Sequence, residues 1–274
     1  MYAGGAEKKR ERPMTVARLH AIKREGGAIA CLTAYDYSMA RAVDAAGTDV
    51  MLVGDSLGMV MQGRETTLPV TVDEIIYHTR CVAAARQRAL VMADMPFMSY
   101  PDAATALANA GRLMKEGGAQ MVKLEGAGDQ AHIVAALAAA GVPVCAHLGL
   151  QPQLVHKIGG YRVQGRDAED ADAMVEDALA LERAGADLLL VECIPAALGK
   201  RLARRLRIPV VGIGAGAGCD GQILVVQDML GITPGRPPRF SRDFMPDAGS
   251  IPAALEAYVE AVRVRTFPGE EHSF

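Results

Sequence analysis

The sequence predicts an α/β fold of the (β/α)8, or TIM-barrel, class in a single domain. Three observations carry this. Eight short apolar runs recur along the chain, at Ala28–Ala34, Asp49–Val53, Leu90–Asp94, Gln120–Leu124, Pro143–His147, Asp187–Val191, Pro209–Ile213 and Ile223–Val226. Each run is continuous rather than alternating, as parallel strands covered on both faces require. Segments of helical spacing lie between them, and the 274 residues suit a barrel, which takes about 250. An open doubly wound sheet is the structural alternative, but eight βα units within about 200 residues favour closure.

Arg12–Gly26 has helical character ahead of the first strand and predicts a cap for the bottom of the barrel. Helical spacing continues at Val72–Arg88, Asp102–Glu116, Gln130–Ala140, Ala168–Ala184 and Ala196–Leu206. Ala46-Gly47, Gly117-Gly118, Ala140-Gly141 and Ala184-Gly185 precede strands, where a glycine closes the preceding helix in the left-handed conformation. The connections Gly54–Pro69 and Gly149–Asp167 are long, and such loops often form lids or binding walls. Ile251–Arg265 predicts a C-terminal helix. Residues 1–12 form a basic stretch with no apolar core, so they are expected to be a disordered tail rather than a secretory signal. Glu7 and Glu11 count against a transit peptide. Residues 13–274 then form the catalytic barrel domain.

The chain carries 29 basic and 32 acidic side chains, a formal net charge of −3. That balance argues against a protein built to coat nucleic acid or an anionic membrane. Its apolar runs fall well short of the roughly 20 residues that a membrane span needs. The five cysteines are scattered with no CxxC pair. They are expected to be reduced, buried thiols of a cytoplasmic protein.

The active site of a barrel lies at the C-terminal ends of its strands. Strands two to six end there in Asp55, Asp94, Lys123 with Glu125, His147, and Glu192. Five successive strands thus aim ionisable groups at one mouth. Asp55, Asp94 and Glu125 offer hard oxygen ligands, and a divalent cation relieves the repulsion of crowded carboxylates. Oxygen-only ligation suits Mg²⁺; salt bridges to Lys123 are the plainer alternative. Lys123 lies two residues before Glu125, hence on the same strand face. It suits an anionic substrate, or else acts as a Schiff-base nucleophile, a role that nearby carboxylates disfavour by keeping its pKa high. Glu192 follows a Leu/Val run and precedes Cys193-Ile194-Pro195. So apolar a setting raises a carboxyl pKa, as a general base needs. His147 has three readings: substrate binding, proton shuttling or a structural role. The Gly212–Gly216 run resembles loops that hold phosphate in many barrels, and equally gives room to a flat cofactor.

Eight segments together resemble the ketopantoate (3-methyl-2-oxobutanoate) hydroxymethyltransferase family: Leu32–Ala40, Val53–Gly63, Ala93–Tyr100, Val122–Gly126, His147–Gln153, Val191–Pro195, Gly212–Gly216 and Asp220–Val225. The resemblance runs in order from about residue 13 to 265. It implies a (β/α)8 barrel, Mg²⁺, 5,10-methylenetetrahydrofolate as one-carbon donor, a role in pantothenate biosynthesis and a homodecamer. Position by position it implies that Asp55 and Asp94 bind metal and that Asp55 with Ser56 contacts substrate. It also gives Lys123 as substrate-binding, Glu125 as metal-associated, Glu192 as proton acceptor and His147 as a supporting substrate-site residue.

The implied chemistry suits these residue types. A branched 2-oxo acid chelates Mg²⁺, Glu192 removes its C3 proton, and the enolate attacks the methylene carbon delivered by the folate. Two other readings are open. One is a barrel lyase or phosphonate mutase that also stabilises a 2-oxo acid enolate. The other is a non-catalytic metabolite-binding barrel, against which an intact Glu192 and acidic triad argue.

Overall fold

The computed structural model describes residues 12–274. The tail expected over residues 1–12 lies, Arg12 apart, outside the described residues. Eight parallel strands close into a barrel: β1 (Ile29–Thr33), β2 (Val50–Val53), β3 (Leu90–Asp94), β4 (Met121–Glu125), β5 (Val144–Gly149), β6 (Leu188–Glu192), β7 (Val210–Ile213) and β8 (Gly221–Leu224), with β8 paired to β1. Buried on both faces, they have no polar alternation, as strands inside a ring of helices must. The open-sheet alternative is thereby excluded.

Val16–Arg24 is the expected helix ahead of β1. Tyr37–Ala45, Val72–Ala85, Ala103–Lys115, Ala131–Ala139, Ala168–Arg183, Ala196–Arg205 and Ile251–Arg263 make the outer ring. Local chemistry starts several of them. The Asp36 side chain accepts the Met39 N–H at 2.9 Å, and Asp102 accepts that of Thr105 at 2.9 Å. Thr71 and Glu74 form a reciprocal capping box, and such caps typically contribute about 1 kcal/mol each. The long connections contain short helices at Leu57–Val60 and Val155–Ile158.

One unit departs from the expected repeat. Residues 214–220 alone join β7 to β8, with no helix, whereas a parallel crossover usually takes a dozen residues or more. The turn folds directly over its own strand. A Cβ at Gly212 would lie 2.9 Å from Cys219 Sγ and 3.2 Å from Ala215 Cβ, so a side chain there would push the turn away.

The foot of the barrel follows a two-strand rule. The residue before each even-numbered strand accepts an N–H of the odd-numbered strand preceding it. Asp49 Oδ2 takes that of Ala30 at 3.0 Å, Gln120 Oε1 that of Val91 at 3.2 Å, Asp187 Oδ2 that of Val144 at 3.0 Å and Asp220 Oδ2 that of Val210 at 2.9 Å. The odd strands are preceded by Ala28, Ala89, Pro143 and Pro209, whose side chains cannot accept. At the β8–β1 joint, the Tyr258 hydroxyl meets the carbonyls of Cys31 and Gln222 at 2.8 and 3.0 Å. Arg88 braces the same end through Asp49 at 2.6 Å.

Register decides what fills the barrel. Asp94 pairs with Lys123, Lys123 with Cys145, Glu125 with His147 and Gly149 with Glu192. Paired residues of parallel strands share a face, so these side chains point inward together. Below them the interior is apolar, with Ile29, Val50, Leu90, Met121 and Leu188 on the same face. The ionisable upper layer is carried by β3–β6, while Thr33, Leu52, Ile213 and Ile223 fill the opposite side.

Candidate active site

Asp55, Asp94, Lys123, Glu125 and His147 are all buried at the C-terminal mouth. Lys123 Nζ stands 2.5 Å from Asp94 Oδ1, so the salt-bridge alternative holds for this pair. Asp94 Oδ2 accepts the Asp55 N–H at 2.9 Å and ties β3 to the turn after β2. Burial works to discharge Lys123, but Asp94, Glu125 and Asp55 overcome it and hold the ammonium charged well above its usual range. A Schiff-base role needs a neutral amine, and this setting opposes it. Asp55 experiences the reverse: burial, then Asp94 and Glu125, raise its carboxyl well above the usual range.

Glu125 turns away from the two aspartates. Its Oε2 accepts the Gln153 N–H at 3.1 Å, and its Oε1 lies 3.4 Å from His147 Nδ1. Burial pushes it up to about 7, with Lys123 opposing and Asp94 assisting. Among the described residues, no three His, Cys, Asp or Glu side chains are arranged to enclose a metal ion. The three carboxylates read from the sequence as one ligand set share the mouth of the barrel without forming a closed set. Lys123 occupies one oxygen of Asp94, and Glu125 is engaged elsewhere.

His147 Nε2 lies 3.5 Å from Glu192 Oε2, on the side of the ring away from Glu125. Neither ring nitrogen makes a hydrogen bond. Burial, reinforced by Lys123, holds the imidazole well below its usual pKa, which favours its neutral form. Glu192 caps β6 with its side chain 16% exposed, the one carboxyl of the set with an outlet. Burial pushes it up to about 8, with Glu125 adding to the shift and Lys123 opposing it. Ser56 opens the Leu57–Val60 helix, and its hydroxyl lies 2.8 Å from that of Tyr35. The structure thus brings every residue expected at the site to one mouth.

Three further residues belong to it. Gln153 Nε2 donates to Asp55 Oδ2 at 2.9 Å and to Met95 O at 3.0 Å. Tyr100 donates to Gln153 Oε1 at 2.5 Å and accepts the Glu125 N–H at 3.2 Å. Tyr35 orients Ser56. All three lie in segments that carry the family resemblance, but an amide and two phenols show no charge pattern to mark them. Four cysteines are buried, Cys81 is partly exposed and all five are free thiols, in keeping with the expectation of reduced chemistry.

Residues 13–270 match the family described as ketopantoate hydroxymethyltransferase. A 3-methyl-2-oxobutanoate hydroxymethyltransferase of Alkalilimnicola ehrlichii is 67% identical over 274 residues, covering 100% of this chain and 99% of its own. One of Halorhodospira halophila is 66% identical over 261 residues, covering 95% and 94%. Among solved structures, a phosphonopyruvate hydrolase aligns with TM-score 0.61 at 14% identity, over 80% of this chain and 83% of its own. A 2,3-dimethylmalate lyase aligns with TM-score 0.57 at 16% identity, over 80% and 82%. These two show likeness of fold alone. With its full length matched by such relatives and the expected groups gathered at one mouth, the chain belongs to the ketopantoate hydroxymethyltransferase family, and it is a transferase.

Proposed function

We propose that this chain moves a hydroxymethyl group from 5,10-methylenetetrahydrofolate to 3-methyl-2-oxobutanoate, giving 2-dehydropantoate and tetrahydrofolate, in pantothenate biosynthesis. The observation that carries this reading is the placement of Glu192: it ends β6 at the same mouth as Lys123, Asp94 and Asp55, 3.5 Å from His147 and with its side chain 16% exposed, and burial raises its carboxyl to about 8. A base of that strength suits removal of a proton next to a ketone near neutral pH.

The residues fit a divalent cation. Asp55, Asp94, Glu125 and Glu192 surround one ammonium, and burial together with like charge raises Asp55. Asp55 and Asp94 are the oxygen donors placed to hold Mg²⁺, with Glu125 set back toward His147. When bound there, Mg²⁺ supplies Lewis-acid polarisation to the enolisation of the oxo acid.

The chain's own groups do the rest. Lys123 and Ser56 orient the anionic oxygens of the 2-oxo acid. Glu192 takes the proton from its tertiary C3. The carbanionic C3 then forms a bond to the methylene carbon of the folate, both C–N bonds to that carbon break, water supplies the hydroxyl, and the two released nitrogens take up the proton held by Glu192 and the proton left by the water. Neutral His147 keeps Glu192 and Glu125 apart without adding a charge. We further infer a cytoplasmic protein assembled as a homodecamer, with no nucleic-acid or membrane partner. The assembly rests on the family alone, and light scattering at the monomer mass of 28.9 kDa would overturn it. Among the described residues no helix is long and apolar enough to cross a membrane.

The test is product formation from 3-methyl-2-oxobutanoate with and without 5,10-methylenetetrahydrofolate, in Mg²⁺ and in chelator. Formation of 2-dehydropantoate only with the folate and the metal supports the reading. Turnover independent of folate points to a lyase or mutase chemistry instead.

A further inference from the structure

The residues after Glu192 are pinned one by one. Glu192 O accepts the Leu150 N–H at 2.8 Å, the Cys193 N–H donates to Ile213 O at 2.9 Å and the Ile194 N–H donates to Gly214 O at 3.2 Å. The Ala196 N–H then donates to Phe274 O at 2.8 Å. Cys193 itself takes φ +48°, a conformation that a side-chain-bearing residue holds only when its surroundings impose it. The turn that aims Glu192 is therefore set by what it rests on.

Gly214 is the rest. Its φ is +60°, and a Cβ there would lie 3.0 Å from Phe274 Cε2 and 3.1 Å from Phe240 Cβ. The two phenylalanines pack straight onto the Gly214 backbone. The Arg239 guanidinium sits 5.3 Å over the centre of the Phe274 ring, and its Nε donates to Glu271 O at 3.1 Å. The path to this point is anchored at the foot of the barrel. Arg265 donates to the carbonyls of Ala217, Cys219 and Gly27 at 3.3, 2.9 and 3.2 Å, and Phe267 packs edge-on against Phe244 and Tyr258. Residues 265–274 thus run from foot to mouth beside the β7–β8 turn, where no crossover helix stands.

We propose that Phe274 is a positioning residue for Glu192. Its ring seats Gly214, whose carbonyl holds Ile194, and its own main-chain oxygen holds Ala196. The turn between them keeps the base aimed into the barrel. Phe274 acts through Gly214 and Ile194, not on the substrate. The proposal rests on the reading of Glu192 as the base.

The experiment is deuterium exchange at C3 of 3-methyl-2-oxobutanoate, with Mg²⁺, on the full chain. It compares wild type with Phe274→Ala, Phe274→Tyr, Arg239→Ala and Glu192→Gln. Displacing a catalytic group by about 1 Å costs on the order of a hundredfold, so Phe274→Ala should lower the maximal exchange rate by about ten- to a hundredfold while KM stays within about twofold. Phe274→Tyr, which keeps the ring, should restore it. Arg239→Ala leaves the ring but removes its clamp and should fall between, so it carries the test if Phe274→Ala does not fold. A wild-type rate in both Phe274→Ala and Arg239→Ala overturns the proposal. So does a parallel loss of rate, KM and thermal stability that Tyr does not rescue. Glu192→Gln is judged separately: wild-type exchange there sinks the base assignment itself, whatever Phe274→Ala does.

Discussion

Lys123 and Asp94 sit at paired positions of β4 and β3, with Nζ 2.5 Å from Oδ1, both buried. The ammonium is thus held within the carboxylate cluster rather than free to react. Removing one partner of a buried pair typically costs about 3–5 kcal/mol. Lys123→Met is expected to lose stability of that order in chelator, and to regain part of it with Mg²⁺, which replaces the lost charge. Its KM for the 2-oxo acid should rise more than its kcat falls. Chemical denaturation with and without the metal checks the first, and steady-state kinetics the second.

Glu192→Gln is nearly isosteric but cannot take a proton. General-base catalysis typically contributes about 10²–10⁴-fold, so C3 exchange should fall by that order while binding of the oxo acid survives. Calorimetric titration of the variant with substrate checks the binding half.

The same residue sets a pH dependence. Its folded pKa of about 8 lies above the ordinary 4.5, so the folded state keeps a proton that the unfolded chain releases. Stability from this group is fully present below about pH 4.5 and is lost as pH rises through about 8. Glu192→Gln escapes that loss, so its stability relative to wild type should grow across this window. With Mg²⁺ bound, the exchange rate should climb with pH and level off at or below about 8, because a nearby cation favours the ionised carboxylate. Denaturation midpoints and exchange rates from pH 5 to 9 test both.

Gln153 holds Asp55 and, through Tyr100, the backbone of Glu125. Groups that orient metal ligands from behind commonly cost about 10–100-fold in metal affinity when removed. Gln153→Leu should raise the Mg²⁺ concentration needed for half-maximal activity by that order. An unchanged requirement would separate Asp55 from the metal.

Asp49 lies at the other end, fully buried, with Arg88 at 2.6 Å and the Ala30 N–H at 3.0 Å. Asp49→Ala should cost about 3–5 kcal/mol of stability and leave kcat within about twofold below the new melting point, because barrel feet serve stability and barrel mouths serve chemistry. A large fall in kcat of folded protein would show coupling between the two ends.

The strands were legible because burial on both faces leaves continuous apolar runs. β3 spans Leu90–Asp94, as read from the sequence. β8 begins two residues before the apolar run Ile223–Val226, because Gly221 and Gln222 pair with Val211 and Gly212 without adding apolar side chains to that run. The Tyr37–Ala45 helix has a weak signature in the sequence: it is short, and its apolar positions are interrupted by Ser38, Arg41 and Asp44. The absent helix between β7 and β8 follows from close approach of backbone to backbone, which hydrophobic spacing does not encode. In the site, charge at strand ends made Asp55, Asp94, Lys123, Glu125 and Glu192 readable. Glu125 facing His147 rather than the aspartates depends on side-chain rotation, and Gln153 arrives from a loop whose path no periodicity describes.

The alternating latches at the foot divide the ring into four quarters, β1–β2, β3–β4, β5–β6 and β7–β8, each tied within itself. At the mouth, three of the four seams between quarters are crossed by the site or its supports: Asp55 to Asp94, Glu125 beside His147, and Cys193 to Ile213. A half-barrel cut between β4 and β5 would keep both of its latches. It would nonetheless carry the aspartates and Lys123 on one piece, and His147 and Glu192 on the other. Neither half of the ring holds both sets of groups, and only the closed ring brings Glu192 to the same mouth as Asp55, Asp94 and Lys123.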